Sequence, residues 1–76
     1  MEKAYVLIIS ETGSEQHVIE KLLMIDEIKE VNRVWGAYDF VVKVVVSTSD
    51  AVREIITGKI RMIEGIKTTT SLIVSR

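Results

Sequence analysis

The spacing of the hydrophobic residues changes along the chain, and each change predicts a new secondary-structure element. Residues 4–9 are continuously apolar and rich in β-branched side chains, which predicts a strand that is apolar on both faces. Apolar residues then recur at helical spacing, at Val18, Ile19, Leu22 and Leu23. Thr12 and Glu15 precede them with the spacing of a capping box, and the pattern ends near Ile25. A strand followed by an amphipathic helix is therefore predicted.

A glycine corner separates the next two predicted strands. Residues 28–35 put polar and apolar side chains on both alternating faces, which predicts a half-exposed edge strand. Gly36 suits a turn because it adopts positive φ without a Cβ clash, and Asp39 suits the corner as an acceptor of backbone N–H groups. Residues 38–47 form the third predicted strand, and within residues 40–46 only Lys43 interrupts a β-branched and aromatic run.

The second half of the chain predicts another helix and another strand. Residues 47–50 all favour the N-cap position. The buried stripe of the helix is predicted at Val52, Ile55, Ile56, Ile60 and Ile63. Gly58, inside this helix, either allows close packing on a strand or marks a bend. Gly65 provides a turn, and residues 66–75 form the fourth predicted strand.

The element order is β-α-β-β-α-β, and a faint internal repeat supports it. Superposing the two halves aligns Met24 with Met62, Ile25 with Ile63, and Ile28 with Ile66. Two β-α-β halves with right-handed crossovers predict an α+β, ferredoxin-like fold. The expected sheet is four-stranded and antiparallel in the order 4-1-3-2, with two helices on one face, and residues 1–76 are expected to form one domain.

Composition excludes several classes of protein. Zero cysteines and a single histidine exclude disulfides and Cys/His metal sites, and no cofactor is expected. A net charge of −1 provides no basic surface for nucleic acid. No apolar run is long enough for a membrane helix, and no signal peptide opens the chain, so a cytoplasmic location is expected. Oligomerisation is the remaining way to stabilise a domain whose own core contributes about 3–5 kcal/mol.

The central strands predict an oligomer directly. Helices cover only one face of the sheet, yet strands one and three are apolar on both faces. An open apolar face is an interaction surface, and packing sheet to sheet in a dimer buries it. Replacing Val42 or Val44 by Asp is therefore expected to unfold or dissociate the protein. The alternation defines two faces but does not say which one meets the partner.

Three segments carry a resemblance to a known family. Residues 34–44 read Val-Trp-Gly-Ala-Tyr-Asp-Phe-Val-Val-Lys-Val, residues 63–66 read Ile-Glu-Gly-Ile, and Thr69-x-Ser71 is followed by the closing Ile73-Val74. The chain resembles over its whole length the effector-binding domain of the Lrp/AsnC family of amino-acid-responsive regulators, called the RAM domain. Family members usually carry an N-terminal helix-turn-helix, and all 76 residues here are used by the β-α-β-β-α-β unit. The chain therefore looks like a stand-alone ligand module.

The resemblance implies a function, partners and a site. It implies dimers formed through the sheets, rings of dimers, and a free amino acid bound where dimers meet, to modulate transcription regulators. Full-length Lrp/AsnC-type regulators are the partners it suggests. The ligand contacts that it implies fall on Gly36, Tyr38, Asp39, Thr69 and Ser71. Trp35 departs from the small hydroxyl residue common before the glycine, and its indole could fill or reshape the pocket.

The residue types suit such a ligand. Asp39 could hold an ammonium group, and the hydroxyls of Thr69 and Ser71 share one face of a strand and could reach a carboxylate. Apolar neighbours such as Val34 and Trp35 favour a ligand the size of isoleucine, leucine or methionine. Each candidate also has a plain structural interpretation: a turn cap, a packed tyrosine, or a polar strand face.

Other functions remain as alternatives. An ACT-like amino-acid-binding module differs mainly in how its subunits pair, and a purely structural assembly module needs no ligand. An RNA-recognition motif would need aromatic residues on strands one and three, where Tyr5 and Phe40 are the only candidates. An acylphosphatase-type enzyme would need Arg and Asn in a phosphate loop, which residues 12–14 lack. The chain is therefore expected to be non-catalytic.

Overall fold

The computed structural model describes residues 1–74, which form a four-stranded antiparallel sheet and two helices. The elements are β1 (Glu2–Ser10), α1 (Glu15–Leu22), β2 (Ile28–Arg33), β3 (Phe40–Val46), α2 (Ser49–Ile55) and β4 (Ile66–Ile73). A π-helical turn, Ile56–Ile60, continues α2. The strand order is β2-β3-β1-β4, so the predicted fold and the predicted order 4-1-3-2 are confirmed.

The strands flanking the glycine corner are shorter than predicted. β2 ends at Arg33 and β3 begins at Phe40, so that residues 34–39 form a loop. The Val34 N–H donates to the Asp39 carbonyl oxygen at 3.0 Å, which closes a wide loop instead of a tight turn. Gly36 within it has φ +125°, as its predicted role requires. At the other end of the chain β4 stops at Ile73, and the predicted final strand residue, Ser75, lies outside the described residues.

The predicted capping box before α1 is wrong. The helix begins at Glu15 with Ser14 at the N-cap, and the Ser14 side chain makes no capping hydrogen bond. Glu15 Oε1 instead accepts the Gly13 N–H at 3.0 Å. The reason is a turn at Gly13, which has φ +90° and moves the start of the helix past Thr12.

Helix α2 starts as predicted and continues into a π-helical turn. Thr48 is its N-cap, and the Thr48 hydroxyl accepts the Ala51 N–H at 3.2 Å. Gly58 lies in the π-helical turn, and a Cβ there would meet no atom within 4 Å, so close packing on a strand is not its role. Gly65 has φ +102°, and a Cβ there would lie 2.7 Å from the Ser14 Cβ. Only glycine therefore fits where the end of the helical region passes the start of α1.

One face of the sheet is closed by the helices. The fully buried side chains on this covered face come from β1 and β3: Ala4, Val6, Ile8, Phe40, Val42 and Val44. Side chains from both helical segments pack against them: Val18, Leu22, Val52 and Ile60. Val42 and Val44 therefore belong to the core of one protomer. Of the two outcomes predicted for their replacement by Asp, the structure supports unfolding and excludes a direct role at a sheet partner.

The alternate residues of the same strands form the open face. On β1 and β3 they are Lys3, Tyr5, Leu7, Ile9, Val41, Lys43 and Val45. The strand register places Leu7 opposite Val41 and Tyr5 opposite Lys43. Lys3 and Tyr5 are exposed and the others are half-buried, with no helix over them. The expectation that the central strands are mainly apolar on both faces is confirmed.

Candidate functional site

Hydrogen bonds fix the glycine corner, residues 34–39, to the end of β1. The Asp39 N–H donates to the Ile8 carbonyl oxygen at 2.8 Å. Asp39 Oδ2 accepts the Ser10 N–H at 2.8 Å and the Ser10 hydroxyl at 3.3 Å. The carboxylate thus joins the corner to the neighbouring strand. The Asp39 carboxylate therefore has a structural role. It is not the turn cap that the sequence suggested, because its partner is Ser10 of β1.

One oxygen of this carboxylate carries both bonds. Among residues 1–74, the hydrogen bonds to the Asp39 side chain fall on Oδ2. Oδ1 is therefore the oxygen open to a further donor, and a carboxylate can accept several. Asp39 is half-buried, and a ligand that reached Oδ1 would meet a carboxylate already held in place by Ser10. A structural role and a binding role are compatible at this residue.

The corner lines a cleft of about 450 Å³. Its walls are Arg33, Val34, Trp35 and Asp39. The guanidinium carbon of Arg33 lies 5.8 Å from the centre of the Phe40 ring, an arrangement that holds a cation over an aromatic face. The cleft therefore combines a cation, a carboxylate held by Ser10 and two apolar side chains.

Arg33 was missed by the sequence analysis, which assigned it to one face of an alternating edge strand. The available signal was its position immediately before the corner, together with antiparallel pairing that puts it opposite Phe40. That pairing becomes visible only once β2 and β3 are known to be neighbours in register.

The two hydroxyl residues of β4 lie elsewhere in the protomer. The register places Thr69 opposite Ile8 and Ser71 opposite Val6, so they share one face, as predicted, and that face is the covered one. Ser71 lines a second groove, of about 280 Å³, between α2 and the edge strand β4. Within one protomer, therefore, Ser71 and the corner cleft belong to separate concavities. The expectation that they combine between dimers stays a prediction.

The remaining predicted site residues all lie in the corner loop. Tyr38 is half-buried, and Gly36 has the positive φ expected of it. Trp35 forms one wall of the cleft, but its relative accessibility is 102%. The indole is therefore fully exposed, and it does not fill the pocket of its own protomer.

Two ion pairs lie away from the corner. Lys59 Nζ and Glu27 Oε1 are 3.0 Å apart, and this hydrogen bond from Lys59 is the main cause that lowers the pKa of Glu27. Lys43 Nζ and Glu30 Oε2 are 3.7 Å apart on the open face. In residues 1–74 no group of three or more His, Asp or Glu residues could hold a metal ion. In the same residues no helix is long and apolar enough to cross a membrane.

The sequence model of the Lrp/AsnC ligand binding domain matches residues 3–76. The chain belongs to the Lrp/AsnC ligand-binding domain family. Solved structures agree with this assignment. The chain is 39% identical to FFRP-DM1, with a TM-score of 0.93 over 99% of this chain and 100% of the other. It is 38% identical to hypothetical protein PHS023 from Pyrococcus horikoshii, with a TM-score of 0.91 over 100% of this chain and 92% of the other.

A longer regulator shows where such a domain occurs. E. coli AsnC is 28% identical to this Lrp/AsnC domain, which covers 51% of the AsnC chain with a TM-score of 0.93 over 99% of its own length. A feast or famine regulatory protein from M. tuberculosis, complexed with L-methionine, shares the fold, with a TM-score of 0.82 at 23% identity, over 100% of this chain and 51% of the other. Among curated proteins none matches the chain.

Proposed function

We propose that this Lrp/AsnC domain is a non-catalytic regulatory module, a single unit over residues 1–76, that binds a free amino acid at the glycine corner. The observation that carries the proposal is the pairing of Arg33 and Asp39 as walls of one cleft. Family membership defines a ligand-binding domain. The cleft supplies the two opposite charges that an amino acid requires.

The chemistry follows from the ligand's two charges. An ammonium and a carboxylate must both find partners once water is removed, because an unpaired buried charge is costly. Asp39 Oδ1 suits the ammonium, since Oδ2 is already held by Ser10. The guanidinium of Arg33 presents parallel N–H donors that match a carboxylate. Charge-assisted hydrogen bonds at both ends would orient the ligand and leave its side chain to the apolar walls.

The walls favour an apolar amino acid. Val34 and Trp35 complete the cleft and offer no charge to a ligand side chain. A volume of about 450 Å³ falls within the usual range for small-molecule sites. A ligand the size of isoleucine, leucine or methionine would fit. The M. tuberculosis protein with this fold is complexed with L-methionine; its likeness to this chain is one of fold, so methionine is one member of the panel to be tested.

Assembly completes the proposal. The open face would be buried by the sheet of a second protomer, and dimers would associate further. Thr69 and Ser71 then contribute their hydroxyls from a neighbouring protomer, since within one protomer Ser71 lines a different groove. Ligand-dependent changes in this assembly, or mixed assembly with full-length Lrp/AsnC-type regulators, would carry the signal to transcription.

Calorimetry with a panel of amino acids tests the proposal. Isoleucine, leucine and methionine are expected to bind, whereas aspartate and lysine are not. Asp39→Asn retains an oxygen that can accept the Ser10 N–H but loses the charge, so affinity is expected to fall roughly ten- to hundredfold. Arg33→Gln is expected to lower the affinity by a similar factor. Gly36→Val is expected to lose more, because a β-branched residue is strained at positive φ.

A matched control separates the site from general charge effects. Lys29→Gln removes a cation from β2 outside the cleft, and its affinity should equal that of the wild type. The site assignment is wrong if no amino acid binds the wild type at millimolar concentration, or if Asp39→Asn binds unchanged. A purely structural assembly role for the open face would then be the better account.

A further inference from the structure

Ser10, the last residue of β1, differs from the rest of the sheet in its burial and its pairing. With a relative accessibility of 6%, it is the only buried polar or charged residue among residues 1–74. The pairing of β1 with β4 also shifts register between Ile9 and Ser10. Irregularities of this kind re-aim side chains. At Ser10 both the backbone N–H and the hydroxyl donate to one acceptor, the Asp39 carboxylate.

Two hydrogen bonds to one oxygen restrict this carboxylate. The Ser10 N–H donates to Asp39 Oδ2 at 2.8 Å, and the Ser10 hydroxyl donates to the same oxygen at 3.3 Å. A single donor would leave the carboxylate free to turn about that bond, whereas two donors in different directions oppose the turn. The backbone is held as well, since the Asp39 N–H donates to the Ile8 carbonyl oxygen at 2.8 Å. A ligand in the cleft therefore meets an acceptor that cannot readily turn away.

An acceptor that cannot turn away both attracts and rejects. It attracts an ammonium group, which is a charged donor. It rejects a carbonyl oxygen at the same place, because two acceptors then face each other and Asp39 Oδ1 is left without a partner. A site built around a hydrogen bond discriminates strongly against an analogue that lacks the matching group. A freely turning carboxylate would discriminate less, because it could rotate toward water.

We propose that Ser10 makes the corner cleft selective for the α-ammonium group, so that the cleft binds an α-amino acid and rejects the 2-oxo acid with the same side chain. Ser10 is a positioning residue, because it acts through Asp39 and is not one of the walls that the structure gives the cleft within residues 1–74. The inference rests on the proposed function, since it concerns the ligand of the same cleft. Transamination exchanges these two groups on one carbon skeleton, so the domain would respond to the aminated form alone.

Four ligands with one side chain test this selectivity: leucine, α-hydroxyisocaproate, isocaproate and α-ketoisocaproate. All four keep the carboxylate that Arg33 is proposed to bind. They differ only in the group offered to Asp39, which is an ammonium, a hydroxyl, a hydrogen or a carbonyl oxygen. We expect the affinities measured by calorimetry to fall in that order, with leucine roughly ten- to hundredfold above isocaproate. The diagnostic result is that α-ketoisocaproate binds more weakly than isocaproate, because only a fixed acceptor penalises the carbonyl.

Ser10→Ala removes the hydroxyl and keeps the backbone N–H. The affinity for leucine is expected to fall severalfold, and that for α-ketoisocaproate to rise to the level of isocaproate, because the carboxylate can now turn. Isocaproate itself should bind as it does to the wild type. A merely structural effect would instead lower the affinity for all four ligands by the same factor. Ser10→Thr retains a hydroxyl and should restore the wild-type order.

Ser14→Ala is the matched control. It also removes one serine hydroxyl, but the Ser14 side chain makes no capping hydrogen bond at the start of α1. Its four affinities should equal those of the wild type. An altered order in Ser14→Ala would mean that loss of a serine hydroxyl anywhere in this region changes the cleft, and it would count against a specific role for Ser10.

Asp39→Asn provides a second test that leaves Ser10 intact. The Ser10 donors should hold the amide oxygen of the new side chain, because an amide nitrogen cannot accept them. The amide NH₂ group is then the group presented to the ligand. The wild-type order should therefore reverse, with α-ketoisocaproate bound more tightly than isocaproate. An unchanged order in Asp39→Asn would contradict anchoring by Ser10 even if the Ser10 variants fail to fold.

The outcomes separate this inference from the proposed function. A wild type that binds leucine and α-ketoisocaproate equally well rejects the selectivity but leaves a ligand-binding cleft in place. A wild type that prefers leucine, together with a Ser10→Ala variant that keeps the full wild-type order, rejects the role of Ser10 alone. A wild type that binds none of the four ligands at millimolar concentration removes the proposed binding of leucine and this inference with it.

Discussion

The two faces of β3 are both rich in valine, but only one of them is covered by the helices. On the covered face Val42 and Val44 are fully buried by the helices of the same protomer. On the open face Val41 and Val45, one residue away along β3, are half-buried with no helix above them. Both faces are built from valine, so hydrophobicity alone does not decide which one forms the core. The crossover connections decide it, because they put both helices on one side.

A short chain thus divides its apolar residues between a core and an exposed face. The covered face is a complete core: Phe40, Val42 and Val44 meet side chains of both helices. The open face keeps Tyr5 and Leu72 exposed, and the ion pair Lys43–Glu30 is on the surface of the protomer. Patches of this kind in soluble proteins mark interaction surfaces. The first face stabilises the protomer, and we propose that the second stabilises the assembly.

Replacing Val42 by Asp should have the largest effect. A carboxylate in the fully buried position would have neither water nor a partner, and the cost of about 4 kcal/mol or more is comparable with the whole stability of so small a core. We expect loss of the cooperative urea transition and of most of the circular dichroism signal at every protein concentration. A variant that retains a wild-type transition would contradict the assignment of this face to the core.

Val41→Asp is the matched variant on the neighbouring residue. Its carboxylate can reach water in the free protomer, so the protomer should fold, with a loss of about 1 kcal/mol from strand propensity and packing. The dimer should dissociate, because the charge would lie inside the sheet-to-sheet contact. Sedimentation should show a dimer or larger species for the wild type and a monomer for this variant. The unfolding of the wild type should also depend on protein concentration, and that of the variant should not.

A wild type that is a stable monomer at micromolar concentration would remove the basis of the comparison. Ser47→Asp provides a control for the added charge, because residue 47 follows β3 and is already exposed. It should keep the wild-type mass. A monomeric Ser47→Asp would mean that net charge, and not the face of the strand, governs association.

The sequence predicted the fold because each local pattern agreed with the same topology. Helical spacing in two segments and apolar runs in β1 and β3 left one arrangement that buries both central strands. Two details required three-dimensional information. The face assignment of Val42 depends on the side to which the helices cross, and the cleft depends on Arg33 standing beside Asp39 across a loop. Ser10 as the partner of Asp39 also depends on a distant strand.

The sequence identified the corner residues, but it did not predict how they are arranged in space. Gly36 was identified from its turn role, and its positive φ confirms the reason. Thr69 and Ser71 were placed correctly on one face of a strand, yet Ser71 lines the groove between α2 and β4 and not the corner cleft. A list of polar residues does not tell whether they meet within one protomer or across two.

Replacing both Lys43 and Glu30 by Met tests burial of the open face, with a smaller expected effect. The Lys43 ammonium lies 3.7 Å from Glu30 in the middle of the open face. Covering the face with a second sheet removes water from this pair, and replacing a buried ion pair by apolar side chains is often neutral or stabilising. We expect the double variant Lys43→Met/Glu30→Met to associate up to about tenfold more tightly than the wild type.

Breaking the pair by removing one partner should act in the opposite direction. Glu30→Met alone leaves the Lys43 ammonium without its carboxylate and should weaken the dimer. If the open face stays in water, neither variant should change the association constant. An unchanged constant in both would therefore contradict burial of this face, whatever the mass of the wild type.

The smallest expected effect concerns an ion pair that involves neither face of the sheet. Lys59 in the π-helical turn donates to Glu27, just before β2, at 3.0 Å. This hydrogen bond is the main cause of the lowered pKa of Glu27, followed by a backbone hydrogen bond at Glu27 itself. Because the folded pKa lies below the unfolded one, the pair stabilises the fold above the unfolded pKa. The contribution is lost as the pH falls through the lowered folded pKa.

Urea titrations of Glu27→Gln therefore separate this contact from association. The variant should be slightly less stable than its parent at about pH 6. The two should be equally stable at about pH 2, where Glu27 is protonated in both the folded and the unfolded state. The Val41→Asp chain is the proper parent, because it has no sheet-to-sheet contact whose own pH dependence would intervene. Added salt should reduce the difference at the higher pH, since both side chains are partly exposed. A difference that grows as the pH falls would reverse the sign and exclude the Lys59 contact as its cause.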